Sequence, residues 1–368
     1  MAQHAPQVHG AGHRAPRRRH RHPPRRDRHA RAPRLRARRR RHHSREGAPH
    51  DRGEEGRTVT DVPGRILQVE EDAGIRRHEI ASRLTNVERR LLTYLARHQT
   101  LIACVGNIGA GKSSLVKLLA YSTGMNALFE LPDEGFEDHV ANNASLYPLL
   151  ATAKHSAKRT LGRYYGAIND FIVAQKESRP NSPELLAARR HLHQAALDIQ
   201  HAYLDLRKMQ LQAMPHMQAS TCIDGSPLAD RYVFCEVLHR DMDEPYLTAE
   251  ALQVIDQRLE EEFRPLVRPG LLVILKSPVE NLLRNISDRQ RDEEGGSGDD
   301  LPEGLVRLVR ALNPRYDEFV PNLRAGGWYG GPVLEIDVSR IDFVSNVRHL
   351  IAVYEGIEQL LVPADFKG

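Results

Sequence analysis

The sequence predicts an α/β fold in which helices cover both faces of a five-stranded parallel sheet. Five short apolar segments have the length of strands, and they alternate with segments that show the spacing of amphipathic helices. Strands that are apolar throughout and alternate with helices are typical of parallel sheets buried on both sides. A glycine-rich loop also joins the first strand directly to a helix. We predict strands over residues 101–105, 127–130, 221–224, 271–275 and 333–337.

The first 60 residues are predicted to be a disordered basic tail. They contain 18 arginines against five acidic residues, with few large apolar side chains to bury. Because the net charge of the whole chain is only +5, the part beyond the tail is acidic. A nucleic-acid-binding or membrane-surface arm fits this composition. A solubilising tail, or a leader translated from a mis-chosen start codon, needs fewer assumptions and is the favoured interpretation.

Helical periodicity accounts for most of the chain between the predicted strands. A helical lead-in is predicted over 61–99, followed by a single domain over 100–368. Residues 136–214 are predicted to be mostly helical with a proline-containing break at 179–183, after which 184–214 form a long amphipathic helix. Further helices are predicted over 248–263 and 344–361.

Cysteine content and hydropathy indicate a cytoplasmic protein. Cys104, Cys222 and Cys235 form no even set, and the first two lie in apolar strand-like segments, which favours buried thiols in a reducing compartment. No apolar run approaches the ~20 residues that span a bilayer, so no membrane contact is expected. The N-terminus also lacks the apolar core of a signal peptide.

The loop after the first predicted strand has the composition of a triphosphate-binding loop. It fits the pattern G-x-x-x-x-G-K-S at every position and lies between a strand and a helix. Its glycines allow backbone N–H groups to surround phosphate oxygens, its lysine supplies a positive charge, and its first serine offers a hydroxyl to Mg²⁺. The alternative is a glycine-rich turn without a ligand. The predicted ATP-binding residues here are Gly106, Asn107, Ile108, Gly109, Ala110, Gly111, Lys112, Ser113 and Ser114.

Two carboxylates are expected beside this loop. In parallel α/β sheets ligands bind beyond the carboxyl ends of the strands, and Glu130 and Asp224 end the second and third predicted strands. A kinase acting on a hydroxyl needs a base for that proton and a carboxylate to help hold Mg²⁺. We therefore predict Glu130 as the base, and Ser113 with Asp224 as the metal site. Asp224 could alternatively cap the turn that follows it.

The loop and the residues after each strand resemble those of the deoxynucleoside kinases, the group that includes deoxycytidine, deoxyguanosine and deoxyadenosine kinases. The resemblance runs from about residue 100 to 362, and Gly-Asn-Ile-Gly-Ala-Gly-Lys-Ser matches that family's form of the loop. Glu130 stands where the family has its general base in a Glu-Pro motif, although here the sequence is Glu-Leu-Pro. The resemblance implies a P-loop kinase that uses ATP and Mg²⁺ to phosphorylate the 5′-hydroxyl of a deoxynucleoside.

The resemblance also implies residues for the acceptor. Gln200 and Arg207 lie two helical turns apart, on one face, and Asp230 precedes Arg-Tyr-Val-Phe as in the family. The resemblance implies that these three bind the nucleobase. An amide and a charged pair suit a purine or cytosine better than thymine. Gln200 and Arg207 could alternatively be only the polar stripe of an amphipathic helix.

Residues 284–300 resemble the family's arginine-rich lid. The resemblance implies that Arg289 and Arg291 stabilise the transferred phosphoryl group and that Glu294 accepts from a sugar hydroxyl. The alternative is that these charged residues form only a solvent-exposed segment without a ligand. The segment at Asp342 and Phe343 resembles the loop against the donor's base, where Phe343 could stack on adenine or belong to the core of the last helix.

Two further features depart from the family pattern. The family's Glu-Arg-Ser motif reads Asp224-Gly225-Ser226, which we expect to remove a positive charge that would hold the base or the phosphates. The stretch from about 140 to 190 is longer than the family needs. It leaves Tyr147, Tyr164 and Tyr165 as equal candidates for the sugar contact.

Three functions remain open at this point. The first is an ATP-dependent deoxynucleoside kinase. The second is a nucleotide-binding interaction protein on the same fold with weak or no chemistry, and the third is a kinase of another small hydroxyl compound, because fold does not fix the substrate. A homodimer through helices, including 184–214, is also expected.

Overall fold

The computed structural model describes residues 64–66, 77–131, 138, 147–289 and 301–366. The predicted basic tail lies outside these residues. The strands, in chain order, are β1 (Gly64–Ile66), β2 (Leu101–Gly106), β3 (Asn126–Leu128), β4 (Thr221–Asp224), β5 (Leu271–Lys276) and β6 (Val333–Asp337). They form one parallel sheet in the order β1-β6-β5-β2-β4-β3.

The predicted α/β class and the five predicted strands are confirmed, with two differences in detail. The lead-in predicted to be helical also contains β1, which pairs with β6 from Gly64↔Val333 to Ile66↔Glu335. Three residues are too few to show an alternating pattern in the sequence. The strand predicted over 127–130 ends at Leu128, because the next residue, Phe129, forms its backbone hydrogen bonds with side chains. Its N–H donates to Asp138 at 2.9 Å and its carbonyl accepts from Gln210 at 3.0 Å.

Helices connect the strands. They are α1 (Arg77–Arg97), α2 (Lys112–Thr123), α3 (Tyr147–Glu177), α4 (Pro183–Ala213), α5 (Pro227–Ala229), α6 (Ala249–Arg258), α7 (Val279–Arg289), α8 (Glu303–Ala325) and α9 (Val347–Leu361). Helix α5 continues as π-helical turns over Asp230–Cys235 and Val237–Asp241, and α6 continues as one over Leu259–Phe263.

The predicted break between α3 and α4 is present. Ser182 accepts a hydrogen bond from the Leu185 N–H at 3.2 Å and so caps α4, whose first residue is Pro183. None of the helices described here is long and apolar enough to cross a bilayer.

The strands bury alternate residues in two cores, one on each face of the sheet. In β2, for example, Ala103 and Val105 face one core while Ile102 and Cys104 face the other. Helices α3, α4 and α6 and most of α8 cover the first face. Helices α1, α2, α7 and α9 cover the second. The carboxyl ends of the central strands therefore lie between two packed layers, and the site is built there.

Candidate active site

The glycine loop lies between β2 and α2, as predicted. At Gly109 the backbone has φ +81°, and a Cβ there would lie 2.7 Å from the carbonyl oxygen of Leu282. Only glycine avoids both the unfavourable φ and this collision. The loop therefore packs closely against α7 while it follows the wall of a cavity.

Neighbouring helices anchor the loop through side chains. Asn285 of α7 donates to the Gly109 carbonyl at 2.9 Å, and Tyr316 of α8 donates to the Gly106 carbonyl at 2.7 Å. The Asn107 side chain is buried. It donates to the Val309 carbonyl at 2.9 Å and accepts from the Ile108 N–H at 2.7 Å. Asn107 therefore fixes the loop to α8, whereas the sequence predicted it as a part of the ATP-binding surface.

Lys112 and Ser113 begin α2 and face the cavity. Lys112 Nζ donates to the Asn107 carbonyl at 3.2 Å, which holds the ammonium across the loop. The Ser113 hydroxyl hydrogen-bonds Asp224 Oδ2. Burial, followed by the charge of Glu130, raises the pKa of Asp224, while Lys112 and the bond from Ser113 oppose the rise. The predicted metal-site pair is thus in direct contact.

The two carboxylate oxygens of Asp224 differ in their contacts. Its Oδ1 is buried and has no hydrogen-bond partner among the described residues. The described part of the chain also contains no group of three or more His, Cys, Asp or Glu side chains placed to hold a metal. Mg²⁺ commonly binds through one or two protein oxygens together with substrate phosphates and water. The donor set formed by Ser113 and Asp224 therefore fits Mg²⁺ bound with a nucleotide.

Glu130 lies two residues beyond β3 and faces the same cavity as the loop. Its side chain is 26% exposed and its Oε2 is 3.3 Å from Arg207 Nη2. The departure from Glu-Pro to Glu-Leu-Pro does not turn this carboxylate away from the cavity.

Arg207 lies behind the cavity and is completely buried. Its Nε donates to Asp230 Oδ2 at 3.1 Å, and its Nη1 donates to the Asp224 carbonyl at 2.7 Å. Burial alone would lower the pKa of Arg207, but the carboxylates of Asp230, Glu130 and Asp224 outweigh burial and raise the pKa. The predicted contact between Arg207 and a nucleobase is not visible here, because the described residues that line the cavity do not include Arg207.

Gly225 gives space to this guanidinium. The backbone at Gly225 has φ +90°, and a Cβ there would lie only 2.1 Å from Arg207 Nη2. The guanidinium of Arg207, which comes from α4, therefore occupies the space that a side chain at position 225 would take.

The cavity has a volume of about 1060 Å³. This is slightly above the ~300–1,000 Å³ typical of small-molecule sites, so it can hold two ligands side by side. Apolar residues of α3, α4 and the π-helical turns after α5 line part of the cavity, and Gln200 and Asp230 add polar groups to its wall. Burial raises the pKa of Asp230 to about 6, although Arg207 opposes the rise. These apolar residues are Leu161, Ile199, Phe234 and Leu238.

Besides Tyr316, which anchors the loop, three tyrosines lie on the cavity wall. Tyr164 is buried, and its hydroxyl has no hydrogen-bond partner among the described residues. Tyr165 lies next to it, with 5.8 Å between the ring centroids. Tyr203 hydrogen-bonds Glu130. The third early candidate, Tyr147, begins α3, and its side chain is outside the described part.

The lid and the predicted adenine loop are described only in part. Arg289 ends α7 on the cavity wall, while Arg291 and Glu294 lie outside the described residues. Phe343 is buried, faces the cavity and comes within 3.7 Å of the position that a Cβ of Gly111 would take. Asp342 also lines the cavity, and its Oδ1 accepts from the Ser345 N–H at 2.9 Å.

Sequence reasoning missed several residues of this site. Tyr203 was not singled out because a tyrosine on an amphipathic helix gives no motif, although it lies between Gln200 and Arg207 on the same helix. Asn281 and Asn285 also line the cavity from α7. The two asparagines are one helical turn apart in the helix that follows Ser277-Pro278, and this spacing is the signal that could have found them.

One cavity, large enough for two ligands, is lined by the glycine loop, by a carboxylate that is the candidate base and by a hydroxyl–carboxylate pair. This arrangement defines a P-loop phosphotransferase. The family model for deoxynucleoside kinases matches residues 102–362. The chain belongs to this family and is a nucleoside kinase.

Solved structures of deoxyadenosine kinase from M. mycoides are similar to this chain. One, with the products dCMP and a flexible dCDP bound, has 17% sequence identity, covers 70% of this chain and 98% of that chain, and gives a TM-score of 0.45. A second, with bound dCTP, has 17% identity, coverage of 70% and 99%, and a TM-score of 0.43. A third, with bound dATP, has 16% identity, coverage of 68% and 96%, and a TM-score of 0.42. A comparison with curated proteins finds no match.

Proposed function

We propose that this protein transfers the γ-phosphate of ATP to the 5′-hydroxyl of a deoxynucleoside. The observation that carries the proposal is that Glu130 and the glycine loop face one cavity of about 1060 Å³. A base and a triphosphate cradle that share a cavity can act on one pair of substrates. Positioning and charge stabilisation are the main tasks of a phosphoryl-transfer enzyme.

In this proposal Glu130 accepts the proton of the 5′-hydroxyl while the oxygen of that hydroxyl attacks the γ-phosphorus of ATP. The bond between the γ-phosphorus and the oxygen that bridges it to the β-phosphorus breaks. Lys112 and Arg289 supply positive charge at the loop side of the cavity, and Arg291 does so from the lid. Phe343 and Asp342 border the donor's base. Because Glu130 is partly exposed to the cavity, a substrate hydroxyl can reach it.

Ser113 and Asp224 would hold Mg²⁺, with Asp224 Oδ1 as the acceptor that lacks a partner among the described residues. When bound, Mg²⁺ supplies positive charge that neutralises the triphosphate. Ser113→Ala is expected to weaken ATP binding and raise the Mg²⁺ concentration that activity needs.

Asp230 and Gln200 are proposed to select the nucleobase. A carboxylate accepts from an exocyclic amino group, and an amide can both donate and accept. Both groups line the cavity together with apolar side chains. This combination supports a purine or cytosine over thymine. Arg207 supports Asp230 from behind.

Tyr164 is proposed as the tyrosine that contacts the sugar. Its hydroxyl is buried on the cavity wall without a partner in the described part of the chain, so a substrate hydroxyl would satisfy it. Glu294 remains proposed as a second sugar contact from the lid.

The test is a product assay of the full chain with ATP, Mg²⁺ and each of the four common deoxynucleosides. We expect a monophosphate from deoxyadenosine, deoxyguanosine or deoxycytidine, and much less from thymidine. Triphosphate binding without turnover of any nucleoside would instead identify a nucleotide-binding protein. Turnover confined to another hydroxyl compound would change the substrate class.

We also propose a cytoplasmic homodimer. The three cysteines are all free and buried, which suits a reducing compartment. Leu149 and Val173 on α3 and Leu186 on α4 are large apolar side chains exposed to solvent. A monomeric mass at micromolar concentration in light scattering would contradict the dimer.

A further inference from the structure

Two side chains of α4 hold the carboxylate of Glu130. Arg207 approaches from behind the cavity, with Nη2 3.3 Å from Glu130 Oε2. The hydroxyl of Tyr203 on the cavity wall donates a hydrogen bond to the same side chain. The ion pair with Arg207 and the hydrogen bond from Tyr203 restrict a carboxylate that would otherwise rotate in an open cavity.

Helix α4 also holds the backbone next to Glu130. Gln210 donates to the Phe129 carbonyl at 3.0 Å, and its Oε1 accepts from Arg207 Nη1 at 3.3 Å. Residues 203, 207 and 210 are spaced by four and three, so they lie along one face of the helix. One helical face therefore fixes both the main chain and the side chain at the proposed base.

Arg207 can occupy this position only because residue 225 is glycine. A Cβ on Gly225 would lie 2.1 Å from Arg207 Nη2 and 2.8 Å from its Cζ. Both contacts are far shorter than van der Waals distance, and Arg207 cannot move freely because Asp230 and the Asp224 carbonyl hold it at 3.1 and 2.7 Å. A side chain at 225 would therefore displace the guanidinium from Glu130.

We propose that Tyr203 and Arg207 are positioning residues that hold the Glu130 carboxylate in the cavity it shares with the glycine loop, and that Gly225 is required for this arrangement. The inference rests on the proposed function. Tyr203 is assigned no contact with the nucleoside, so its loss reduces kcat and leaves the KM of the nucleoside nearly unchanged. A merely structural role would not separate the two constants in this way.

The first test is Tyr203→Phe in the full chain, assayed with ATP, Mg²⁺ and the best deoxynucleoside. Loss of one hydrogen bond is expected to reduce kcat about 3- to 10-fold, with the nucleoside KM changed by less than about twofold. The control is Tyr121→Phe, since Tyr121 is exposed on α2. An unchanged kcat, or a raised KM with the same kcat, overturns the role of Tyr203.

The second test compares Gly225→Ala with Gly124→Ala. Both glycines have positive φ, +90° and +67°, so alanine strains the backbone at each. At Gly124 no described atom lies within 4 Å of the added Cβ. Both variants should lose thermal stability, but only Gly225→Ala should lose kcat, by at least about tenfold. Equal kcat values in the two variants overturn the requirement for glycine.

If Gly225→Ala is too unstable to assay, the double variant Gly225→Ala/Arg207→Lys decides the question. Lysine has no Nη2 to collide with the new methyl group. The double variant should therefore fold, and its kcat should equal that of Arg207→Lys within about twofold. A double variant that is no more stable than Gly225→Ala contradicts the inference.

These outcomes separate the inference from the proposed function. Wild-type turnover combined with insensitive Tyr203 and Gly225 variants overturns only the positioning role. Absence of wild-type turnover with every deoxynucleoside overturns the proposed function, and the positioning role with it.

Discussion

At the scale of single residues, Glu130 is the side chain on which the proposed reaction depends most. Glu130→Gln removes the proton acceptor but keeps the shape of the side chain. We expect turnover to fall by about 10²- to 10⁴-fold. Nucleoside binding, measured by calorimetry, should survive. Near-normal turnover in this variant would refute the assignment of Glu130 as the base.

Asp230 should make nucleoside binding depend on pH. Its pKa is raised to about 6, chiefly by burial, so the carboxylate dominates above pH 6 and the neutral acid below it. A neutral acid is a poorer acceptor for a base amino group. The nucleoside KM should therefore rise up to about tenfold between pH 7 and pH 5, the range in which the carboxylate fraction falls by that factor.

The control for this pH dependence is Asp230→Asn, which has no proton to gain. Its nucleoside KM should be higher than that of the wild type at pH 7 and nearly constant down to pH 5. A KM that rises equally in both proteins would assign the effect to another group.

At the scale of elements, a buried ion pair holds the end of β3. Lys154 of α3 bonds Asp138, whose carboxylate accepts the Phe129 N–H, and both charged side chains are 5% exposed. Lys154→Met would leave Asp138 buried without its cation. We expect the free energy of unfolding to fall by about 3–5 kcal/mol.

Urea unfolding measures this loss, and Lys176→Met provides the comparison. Lys176 pairs with Glu303, but these side chains are 60% and 43% exposed. An exposed pair of this kind contributes at most about 1 kcal/mol. Similar losses in both lysine variants would show that the buried pair does not hold β3 in place.

The elements were more predictable than the contacts between them. Apolar runs such as 271–275 identify central strands because both faces of such strands are buried. The glycine loop was found because its chemistry constrains a contiguous segment. By contrast, the pairing of Arg207 with Gly225 joins residues from two elements. A glycine in a sequence does not show which side chain occupies its space, so the sequence could not indicate that the guanidinium of Arg207 lies there.

At the scale of the whole molecule, the predicted basic tail should be dispensable for catalysis. The first described strand begins at Gly64. Removal of residues 1–59 is therefore expected to leave kcat and both KM values within about twofold of the full chain, and the melting temperature nearly unchanged. The same assay and a thermal melt measure this. A large loss of activity would show that the tail belongs to the catalytic unit.

The position of α1 and β1 sets the shortest chain that can remain monodisperse. The family match begins at residue 102, but α1, which precedes it, is part of the packed fold. Val87, Leu91 and Leu95 of α1 are buried in the second core. Two ion pairs join α1 to α9, Arg83 with Glu355 at 2.6 Å and Arg90 with Glu358 at 2.7 Å. A truncated chain that begins at the family boundary would expose the apolar surface that α1 covers, and it would leave β6 as an unpaired edge of the sheet. Open edges recruit strands from other molecules. Such a truncated chain should therefore precipitate, although it would retain every residue proposed here for catalysis.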